Sequence, residues 1–315
     1  MSYLKVFSCY NKNEDIRMKS SSGGIFYLLA EQVIERGGVV FGAGFDKSWN
    51  VVHSYCDTLE GIKAYMTSKY VQSSMQDTFH SVKKFVEAGR LVLFSGTPCQ
   101  VTALNNYLSK QYTNLILVDF ICHGVPSPLV WKKYLEERAQ GRNITDVSFR
   151  DKTEGWTEFS LKIGFEDGSE YRMNQHTDVY MKSFLQNFNL RPSCYKCRFK
   201  LLNRISDFTL ADFWGAKEVM PEMFDDKGVS LLLVHSEKCL PLIKNMESQL
   251  IIKEIPSKIV LETNTNAVHS VAEPDNRKAF FENTDGSMVK RLEKFTHVSI
   301  ITKVKRRLKR LVNKG

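Results

Sequence analysis

The chain has 315 residues, and its hydrophobic fraction of 43% and charged fraction of 25% are ordinary for a globular protein. The net charge of +9 is concentrated near the carboxyl end, where residues 303–315 carry seven basic side chains and no acidic one. The remaining body is nearly neutral and has no basic stripe with interleaved aromatics, which excludes a nucleic-acid-binding domain.

No segment predicts export or insertion into a membrane. The first ten residues lack the charged start and apolar run of a secretory signal, and no apolar run reaches the roughly 18 residues that span a bilayer. Seven cysteines at irregular spacing, in a chain without an export signal, favour metal or redox use over disulfides. We therefore expect a cytoplasmic protein.

The first 120 residues are predicted to alternate strands with helices. In chain order, the pattern predicts a strand over 3–9, a helix over 25–36, strands over 39–45 and 51–56, a helix over 79–87, a strand over 91–94, a helix over 100–109 and a strand over 115–120. The last strand, helix and strand lie within about 30 residues, which is typical of a parallel βαβ unit.

The remaining chain changes character. The pattern predicts antiparallel strands over 146–150, 157–165 and 169–172, a helix over 179–187, a cysteine-bearing basic loop over 191–204, strands over 208–213 and 229–235, and a helix over 240–250. The predicted fold class is α/β: a mixed, partly parallel sheet flanked by helices, with an antiparallel hairpin region and a cysteine-bearing loop. We expect one domain over 1–255, with a sub-boundary near 143, and a helical extension with a basic tail over 256–315.

Four of the cysteines form a candidate constellation. Cys99 follows the strand predicted over 91–94, and Cys122 follows the strand predicted over 115–120. If these strands are parallel neighbours, both cysteines emerge at the edge where open α/β sheets place ligands. Cys194 and Cys197 form a pair with metal-ligand spacing on a loop. Four thiolates suit one iron–sulfur cluster or one structural zinc.

Other interpretations of these cysteines stay open at this point. Cys99 lies at the start of a predicted helix, where a thiol can become a nucleophile. Isolated cysteines such as Cys9, Cys56 and Cys239 are most simply small core residues. Zinc commonly uses two tight pairs, whereas two of the four candidate ligands here are isolated at strand ends. This difference favours iron–sulfur only slightly.

Two polar segments are candidates for binding an anion or a ring. Residues 20–24, Ser-Ser-Ser-Gly-Gly, precede a predicted helix and could cradle a phosphate with backbone N–H groups and hydroxyls. The alternative is that Ser22 simply caps the helix. Residues 67–74, Thr-Ser-Lys-Tyr-Val-Gln-Ser-Ser, place hydroxyl donors around one lysine, and could equally be a polar loop.

These segments continue into a series of further motifs. They are Phe-Ser-Gly-Thr-Pro-Cys-Gln at 94–100, Asp-Phe-Ile-Cys-His-Gly-Val-Pro-Ser at 119–127, Phe-Arg-Asp-Lys at 149–152, Arg-Pro-Ser-Cys-Tyr-Lys-Cys at 191–197, Asn-Arg at 203–204 and the segment 206–214. With these motifs in this order, residues 5–245 resemble the beta subunits of coenzyme F420-reducing hydrogenases and dehydrogenases.

The resemblance implies an FAD-binding α/β subunit with a [4Fe-4S] cluster. Electrons would pass between the cluster and the flavin, and hydride to or from coenzyme F420 or another acceptor. By position, the implied cluster ligands are Cys99, Cys122, Cys194 and Cys197. The segments that resemble the flavin site contain Ser21, Ser22, Gly23, Gly24, Ser68, Lys69 and Tyr70.

The resemblance also implies partners, with one departure. Many relatives begin with a ferredoxin-like domain carrying repeated C-x-x-C-x-x-C runs, and this sequence has none. We therefore expect a separate ferredoxin or a hydrogenase or dehydrogenase subunit as electron-transfer partner, a small-molecule redox substrate, and no nucleic acid. His123 is a candidate for proton transfer by position only. The alternative function is a non-redox or zinc-binding accessory protein of polysaccharide biosynthesis on the same scaffold.

Two clusters of basic residues accompany these motifs. The cations of the cysteine loop would offset the charge of a cluster, form a solvated face or bind FAD phosphates; they are Arg191, Lys196, Arg198, Lys200 and Arg204. Near the end of the chain, Val304, Leu308, Leu311 and Val312 have helical spacing with basic residues on the other face. That segment would make a weak membrane-surface contact or remain a solvated helix.

Overall fold

The computed structural model of the protein describes residues 5–282 and 284–297. In this part of the chain no helix has the length and apolar character needed to cross a membrane. The amphipathic segment predicted over 304–312 lies outside the described residues.

The described residues form strands and helices in the following order. The strands are β1 Lys5–Asn11, β2 Val39–Phe45, β3 Val51–Cys56, β4 Val92–Ser95, β5 Leu115–Phe120, β6 Ile144–Asp151, β7 Ser160–Phe165, β8 Glu170–Asn174, β9 Phe208–Asp212, β10 Ser230–Val234 and β11 Leu250–Glu254. The helices are α1 Glu14–Met18, α2 Ile25–Glu35, α3 Leu59–Ile62, α4 Thr78–Glu87, α5 Pro98–Leu108, α6 Pro128–Ala139, α7 Val179–Leu185, α8 Ala216–Val219, α9 Leu240–Met246, α10 Lys258–Thr263, α11 Arg277–Glu282 and α12 Met288–Thr296. Short 3-10 turns lie at Lys63–Tyr65, Pro192–Cys194, Pro221–Met223, Glu237–Cys239, Glu247–Gln249 and Thr265–Ala267.

The larger sheet has eight strands in the order β11-β1-β10-β9-β5-β4-β2-β3. The central pairs β2/β4, β4/β5 and β5/β9 are parallel, and the outer pairs are antiparallel. Since β1 and β9 both run antiparallel to β10, five strands share one direction and their carboxyl ends meet at one edge. The strands β6, β7 and β8 form a separate antiparallel sheet. The predicted mixed, partly parallel α/β fold with an antiparallel hairpin region is confirmed.

Helices cover both faces of the larger sheet because its central strands are apolar on both sides. On one face, Leu28 and Leu29 of α2 pack in a cluster with Leu93 and Ile116. On the other face, α4 and α5 pack against β4 and β5, with Leu104 fully buried. Buried faces on both sides are what parallel strands require.

A second apolar core joins the small sheet to the helices around it. Trp131 of α6, Phe149 of β6 and Phe184 of α7 are buried together with Phe280 and Leu292 of the carboxyl-terminal helices. The helix α6 was not among the sequence predictions. The helix predicted over 240–250 is shorter, because α9 ends at Met246 and β11 begins at Leu250 to pair with β1.

Candidate functional site

A cavity of about 450 Å³ lies at the edge where the parallel strands end. Its walls include Ser95 of β4, Asp119 and Phe120 of β5, and Asp212 of β9. A cavity of this size is in the range of small-molecule sites, and the carboxyl edge of an open α/β sheet is where such sites form. The cavity is also lined by the serine-glycine loop, residues 20–24, and by residues 65–71, two segments far apart in sequence.

The serine-glycine loop delivers the amino-terminal end of α2 to this cavity. Ser20, Ser21, Ser22 and Gly24 line the cavity, together with Ile25, the first residue of the helix. Gly24 has φ +80, a left-handed conformation that glycine adopts without strain, and no side chain caps the helix. The free N–H groups and dipole of α2 therefore favour an anion at this wall.

Gly23 has a different role from its neighbours. It is not among the residues that line the cavity, and its N–H donates to Ser230 Oγ at 2.9 Å. A Cβ at this position would lie 2.7 Å from the carbonyl oxygen of Cys9. Glycine is needed here because the loop passes so close to the backbone of β1.

Buried cations hold the serine-glycine loop from beneath. The Lys152 ammonium donates to the carbonyl oxygens of Arg17, Ser22 and Lys227 at 2.8 to 2.9 Å. The Arg17 guanidinium pairs with Asp225 and donates to Gly228 O at 2.8 Å. Lys152 and Arg17 are both about 4% exposed. The conformation of the loop is thus built by the protein itself.

The two candidate flavin segments contact each other directly. Ser68 donates its backbone N–H to Ser21 Oγ at 2.7 Å. Lys69 lines the cavity and donates to the carbonyl of Ala64, and burial lowers the pKa of its ammonium. Two loops that sequence reasoning treated separately therefore form one wall.

Another part of the cavity lining is aromatic and adjoins a buried ion pair. The rings of Tyr70 and Phe184 stack with their centroids 4.5 Å apart, and both line the cavity. The Arg150 guanidinium, whose side chain is fully buried, pairs with Asp212 at 3.0 Å and donates to the Tyr70 hydroxyl at 3.1 Å. Trp214, 44% exposed, stands at the cavity with its ring above Arg150.

A chain of hydrogen bonds runs from the cavity wall to Cys99. His53 contacts Ser95 O at 3.0 Å through Nε2 and Ser73 Oγ at 2.9 Å through Nδ1, and burial lowers its pKa to about 4. Gln100 donates to Ser73 Oγ at 2.8 Å and accepts from the Thr97 N–H at 2.9 Å. The Thr97 hydroxyl lies 3.0 Å from the Cys99 sulfur.

The cysteine loop reaches the strand ends through backbone pairing. Pro126 and Leu190 form an antiparallel bridge, and Arg191 donates its N–H to Val125 O at 2.9 Å. This pairing brings Cys194 beside the segment that follows Cys122. A Cβ on Gly124 would lie 3.4 Å from the Cys194 Cβ.

The thiols of Cys99, Cys194 and Cys197 all lie within electrostatic range of the Cys122 thiol. Burial raises the pKa of the Cys122 thiol to about 12, Lys200 opposes this shift, and the thiols of Cys194, Cys99 and Cys197 reinforce it. Cys122 lines the cavity and is partly buried, whereas Cys99 is exposed. Within residues 5–282 and 284–297, no three His, Cys, Asp or Glu side chains are grouped as ligands of a metal ion.

Long-range contacts anchor the cysteine loop. Lys200 donates to the carbonyl oxygens of Cys122 and Asn266. The Arg204 guanidinium pairs with the buried Asp119 carboxylate at 3.2 Å. On the other side, Cys197 donates its N–H to Ser270 Oγ at 3.0 Å.

His123 lies between the cysteines and the aromatic wall. Its Nε2 is 2.7 Å from Asn187 Oδ1, and its Nδ1 is 3.2 Å from the Asn266 amide nitrogen. This arrangement favours a neutral ring with the proton on Nε2, and burial lowers the pKa of the ring. The ring also contacts Phe184 edge-on, with centroids 4.9 Å apart.

Part of the sequence that builds this site matches the model of a known family. The family is described as the C terminus of the coenzyme F420 hydrogenase/dehydrogenase beta subunit, and its model matches residues 89–258, more than half of the chain. The chain belongs to this family. The resemblance identified from the motifs is therefore confirmed, and the protein is related to F420 hydrogenase and dehydrogenase beta subunits, which are oxidoreductase components.

A solved structure gives an independent view of the fold of this family member. The chain is similar to a chain of the F420-reducing [NiFe] hydrogenase complex from Methanosarcina barkeri, with a TM-score of 0.57 and 16% identity. The similarity covers 89% of this chain and 92% of the other. At this identity the likeness concerns the fold alone. No match was found among curated proteins.

The match to the beta-subunit family includes the four candidate cysteines but none of the seven candidate flavin residues. Cys99, Cys122, Cys194 and Cys197 lie within the matched range, whereas the serine-glycine loop and residues 67–70 precede it. Of the seven candidate flavin residues, all except Gly23 line the cavity.

Sequence reasoning missed several residues that shape the site of this family member. Arg150, Lys152 and Asp212 received no role, because a buried charge looks like any surface charge until its partner is known. The capping box of α5, in which Thr97 and Gln100 bond each other's backbone, was overlooked. The pattern Thr-x-x-Gln before an apolar run is its signal.

Proposed function

We propose that this protein is an iron–sulfur flavoprotein oxidoreductase subunit. Cys99, Cys122, Cys194 and Cys197 would hold one [4Fe-4S] cluster, and the cavity would hold FAD. Electrons would pass between the two groups, and hydride to or from coenzyme F420 or another acceptor. One observation carries the proposal: Cys122 lines the same cavity as the serine-glycine loop and Tyr70.

The chemistry of the cavity walls fits a flavin nucleotide. At one side, the end of α2 and the hydroxyls of Ser20, Ser21 and Ser22 offer donors suited to a pyrophosphate. The stacked rings of Tyr70 and Phe184, which also line the cavity, offer an apolar surface suited to a planar ring system. A site with a polar anion end and an aromatic end is what a dinucleotide needs.

The donor set fits an iron–sulfur cluster. Four thiols from three separate segments influence one another electrostatically. In a cubane each cysteine binds a different iron, so the four sulfurs stand further apart than they would around one zinc ion. Lys200 lies on the same loop within electrostatic range of Cys122 and would supply positive charge beside a cluster that would be anionic.

When bound, the flavin would supply two-electron hydride chemistry and the cluster one-electron relay. The residues of this chain have positioning tasks. The Arg150–Asp212 pair fixes the Tyr70 hydroxyl and therefore the orientation of the aromatic wall. The neutral His123 ring donates its Nε2 proton to Asn187 Oδ1, so its Nδ1 can accept a hydrogen bond from the Asn266 amide.

The domain division is part of the same proposal. Residues 1–255 would form the flavin and cluster unit, and 256–315 a helical extension that completes the site. In support, residues 263–266 line the cavity, and Asn266 O accepts from Lys200 of the cysteine loop.

Anaerobic purification followed by metal analysis and an absorption spectrum tests the proposal. We expect flavin bands, a broad iron–sulfur shoulder and about four iron atoms per chain. The double variant Cys194→Ser/Cys197→Ser should lose iron, whereas Cys56→Ser, a partly buried cysteine outside the constellation, should retain it. Colourless protein, or protein with zinc and no iron, would refute the proposal and favour the non-redox accessory function.

A further inference from the structure

The cysteine loop is unusually basic for its length. Residues 191–205 contain five cations and no acidic residue, although the chain up to residue 302 is nearly neutral. The positive charge is therefore local to the segment that carries two candidate cluster ligands.

The five cations fall into two groups with different surroundings. Lys200 and Arg204 are partly buried and engaged with backbone carbonyls and with Asp119. Arg191, Lys196 and Arg198 are exposed, and among the described residues none of the three has a carboxylate partner. The first group holds the loop in place, whereas the side chains of the second group form no ion pair within the described chain and remain available to a partner.

Carboxylates close to the loop do not neutralise the exposed group. Glu273, in the segment that packs on the loop, lies 4.0 Å from Arg277, which itself donates to Tyr195 Oη at 2.8 Å. Because Glu273 pairs with Arg277, which is not part of the loop, the loop keeps its positive charge.

Apolar side chains are exposed on the same loop. Leu201 is 56% exposed and Ile205 is 49% exposed. Exposed apolar side chains on the same segment as exposed cations suit a protein contact surface, and electron-transfer complexes use small contacts. Cys99, the candidate ligand at the start of α5, is also exposed.

We propose that the loop 191–205 is the docking surface for a small acidic one-electron carrier protein. The inference rests on the proposed function, because it requires a cluster at the neighbouring cysteines. Complementary charge would concentrate and orient the carrier, and so raise the association rate. Each encounter oxidises one carrier by one electron; two encounters, with two protons from solvent, reduce one bound flavin by two electrons.

The probe is a reduced bacterial ferredoxin with acidic surface, mixed anaerobically with the holoprotein while flavin absorbance is followed. The variant Arg191→Glu/Lys196→Glu/Arg198→Glu should slow the second-order reduction about tenfold or more at low salt. The variant Lys47→Glu/Lys84→Glu/Lys244→Glu changes the net charge equally at exposed positions elsewhere and should stay within about twofold. Rising ionic strength should slow the wild type and leave the loop variant nearly unaffected.

Reduced methyl viologen separates the two proposals, since this small donor needs no docking surface. If viologen reduces the flavin in the loop variant while ferredoxin does so much more slowly than in wild type, the docking surface is supported. A wild-type ferredoxin rate that is insensitive to salt or to the loop variant would overturn it, with the proposed function intact. If no electron reaches a bound flavin from viologen in wild type, the proposed function itself fails. Glutamine at the same three positions should give an intermediate loss of reduction rate. This neutral variant tests the proposal even if the glutamate variant does not fold.

Discussion

The serine-glycine loop and the cysteine loop meet at the same cavity edge but are held in different ways. The serine-glycine loop rests on two nearly fully buried cations, Lys152 and Arg17, and on the strand backbone beneath Gly23. The cysteine loop contains only the single turn Pro192–Cys194 as regular structure, and long-range anchors such as the pair of Arg204 with Asp119 hold it in place.

The fold alone therefore fixes the serine-glycine loop, whereas a bound group would complete the order of the cysteine loop. Buried polar contacts are costly to break, so the serine-glycine loop should keep its shape whether or not a ligand is present. Two of the four candidate thiols lie on the cysteine loop, which has little regular structure, and such a segment gains order from what it binds, since ligand binding and local folding share one free energy.

The largest expected effect comes from removing the principal anchor of the cysteine loop. Arg204→Met would leave the Asp119 carboxylate buried without its partner, which typically costs about 3–5 kcal/mol. We expect a corresponding fall in the free energy of unfolding in urea, together with lower iron retention.

The double variant Asp119→Asn/Arg204→Met is the matched control, because it removes the unpaired charge as well. It should recover most of the stability but not the position of the loop. A loss below about 1 kcal/mol in the single variant would mean that other contacts hold the loop. The proposed difference in support between the two loops would then be wrong.

Acid should destabilise the fold around the cavity through two histidines that are held neutral. Burial lowers the pKa of His53, at the cavity wall, and of His235, beside Thr209, to about 4. The unfolded histidines bind protons near 6.5, so stability is full above that pH and falls as pH drops toward 4. The loss at His53 is about 3 kcal/mol, since each pKa unit is 1.36 kcal/mol.

Unfolding measured in urea across this pH window checks the histidine prediction. His53→Gln should reduce the loss of unfolding free energy between pH 6.5 and pH 4 by about that amount. His235→Gln should reduce it by less, because His235 is only partly buried. An unchanged slope in both variants would show that carboxylates alone cause the acid sensitivity.

The two regions also differ in how well sequence could predict them. The strands Val39–Phe45, Val51–Cys56 and Leu115–Phe120 coincide with their predictions, because apolar and β-branched runs between turn residues leave few alternatives. The helix α6 was missed although its buried residues recur at helical spacing; they are Val130, Trp131, Tyr134, Leu135 and Ala139. The strand β11 forms because it pairs with β1, about 240 residues away, and no local signal encodes that pairing.

The same limit applies within the site. Local motifs identified the serine-glycine loop and the four cysteines, because glycine, serine and cysteine have recognisable uses. Lys152 lies in the motif Phe-Arg-Asp-Lys at 149–152, but nothing in that motif indicates its partners, the backbone carbonyls of Arg17, Ser22 and Lys227. Its role follows only from the tertiary structure.

Iron removal should increase the difference in local stability between the two loops, with a smaller free-energy change than the histidine effect. After chelation of the purified protein, amides in 191–204 should exchange hydrogen roughly 10- to 100-fold faster, because local opening is no longer opposed by the bound group. Amides in 20–24 should change by less than about twofold. Hydrogen exchange with mass spectrometry measures both segments in one sample, and equal acceleration of both would contradict the difference in support.

The smallest effect should come from the contact that joins the two candidate flavin segments. Ser21→Ala removes the acceptor of the Ser68 N–H, a bond of 2.7 Å, and a typical hydrogen bond contributes about 1 kcal/mol. Flavin should dissociate about fivefold more readily in equilibrium dialysis, which is the same energy expressed as affinity. Ser8→Ala is the control, since the Ser8 hydroxyl is buried without a hydrogen-bond partner in the described chain. Lys152 and Arg17 still hold the loop in the Ser21 variant, so the free energy of unfolding should fall by no more than the contribution of that one hydrogen bond. A larger fall would mean that the two buried cations do not hold the loop on their own.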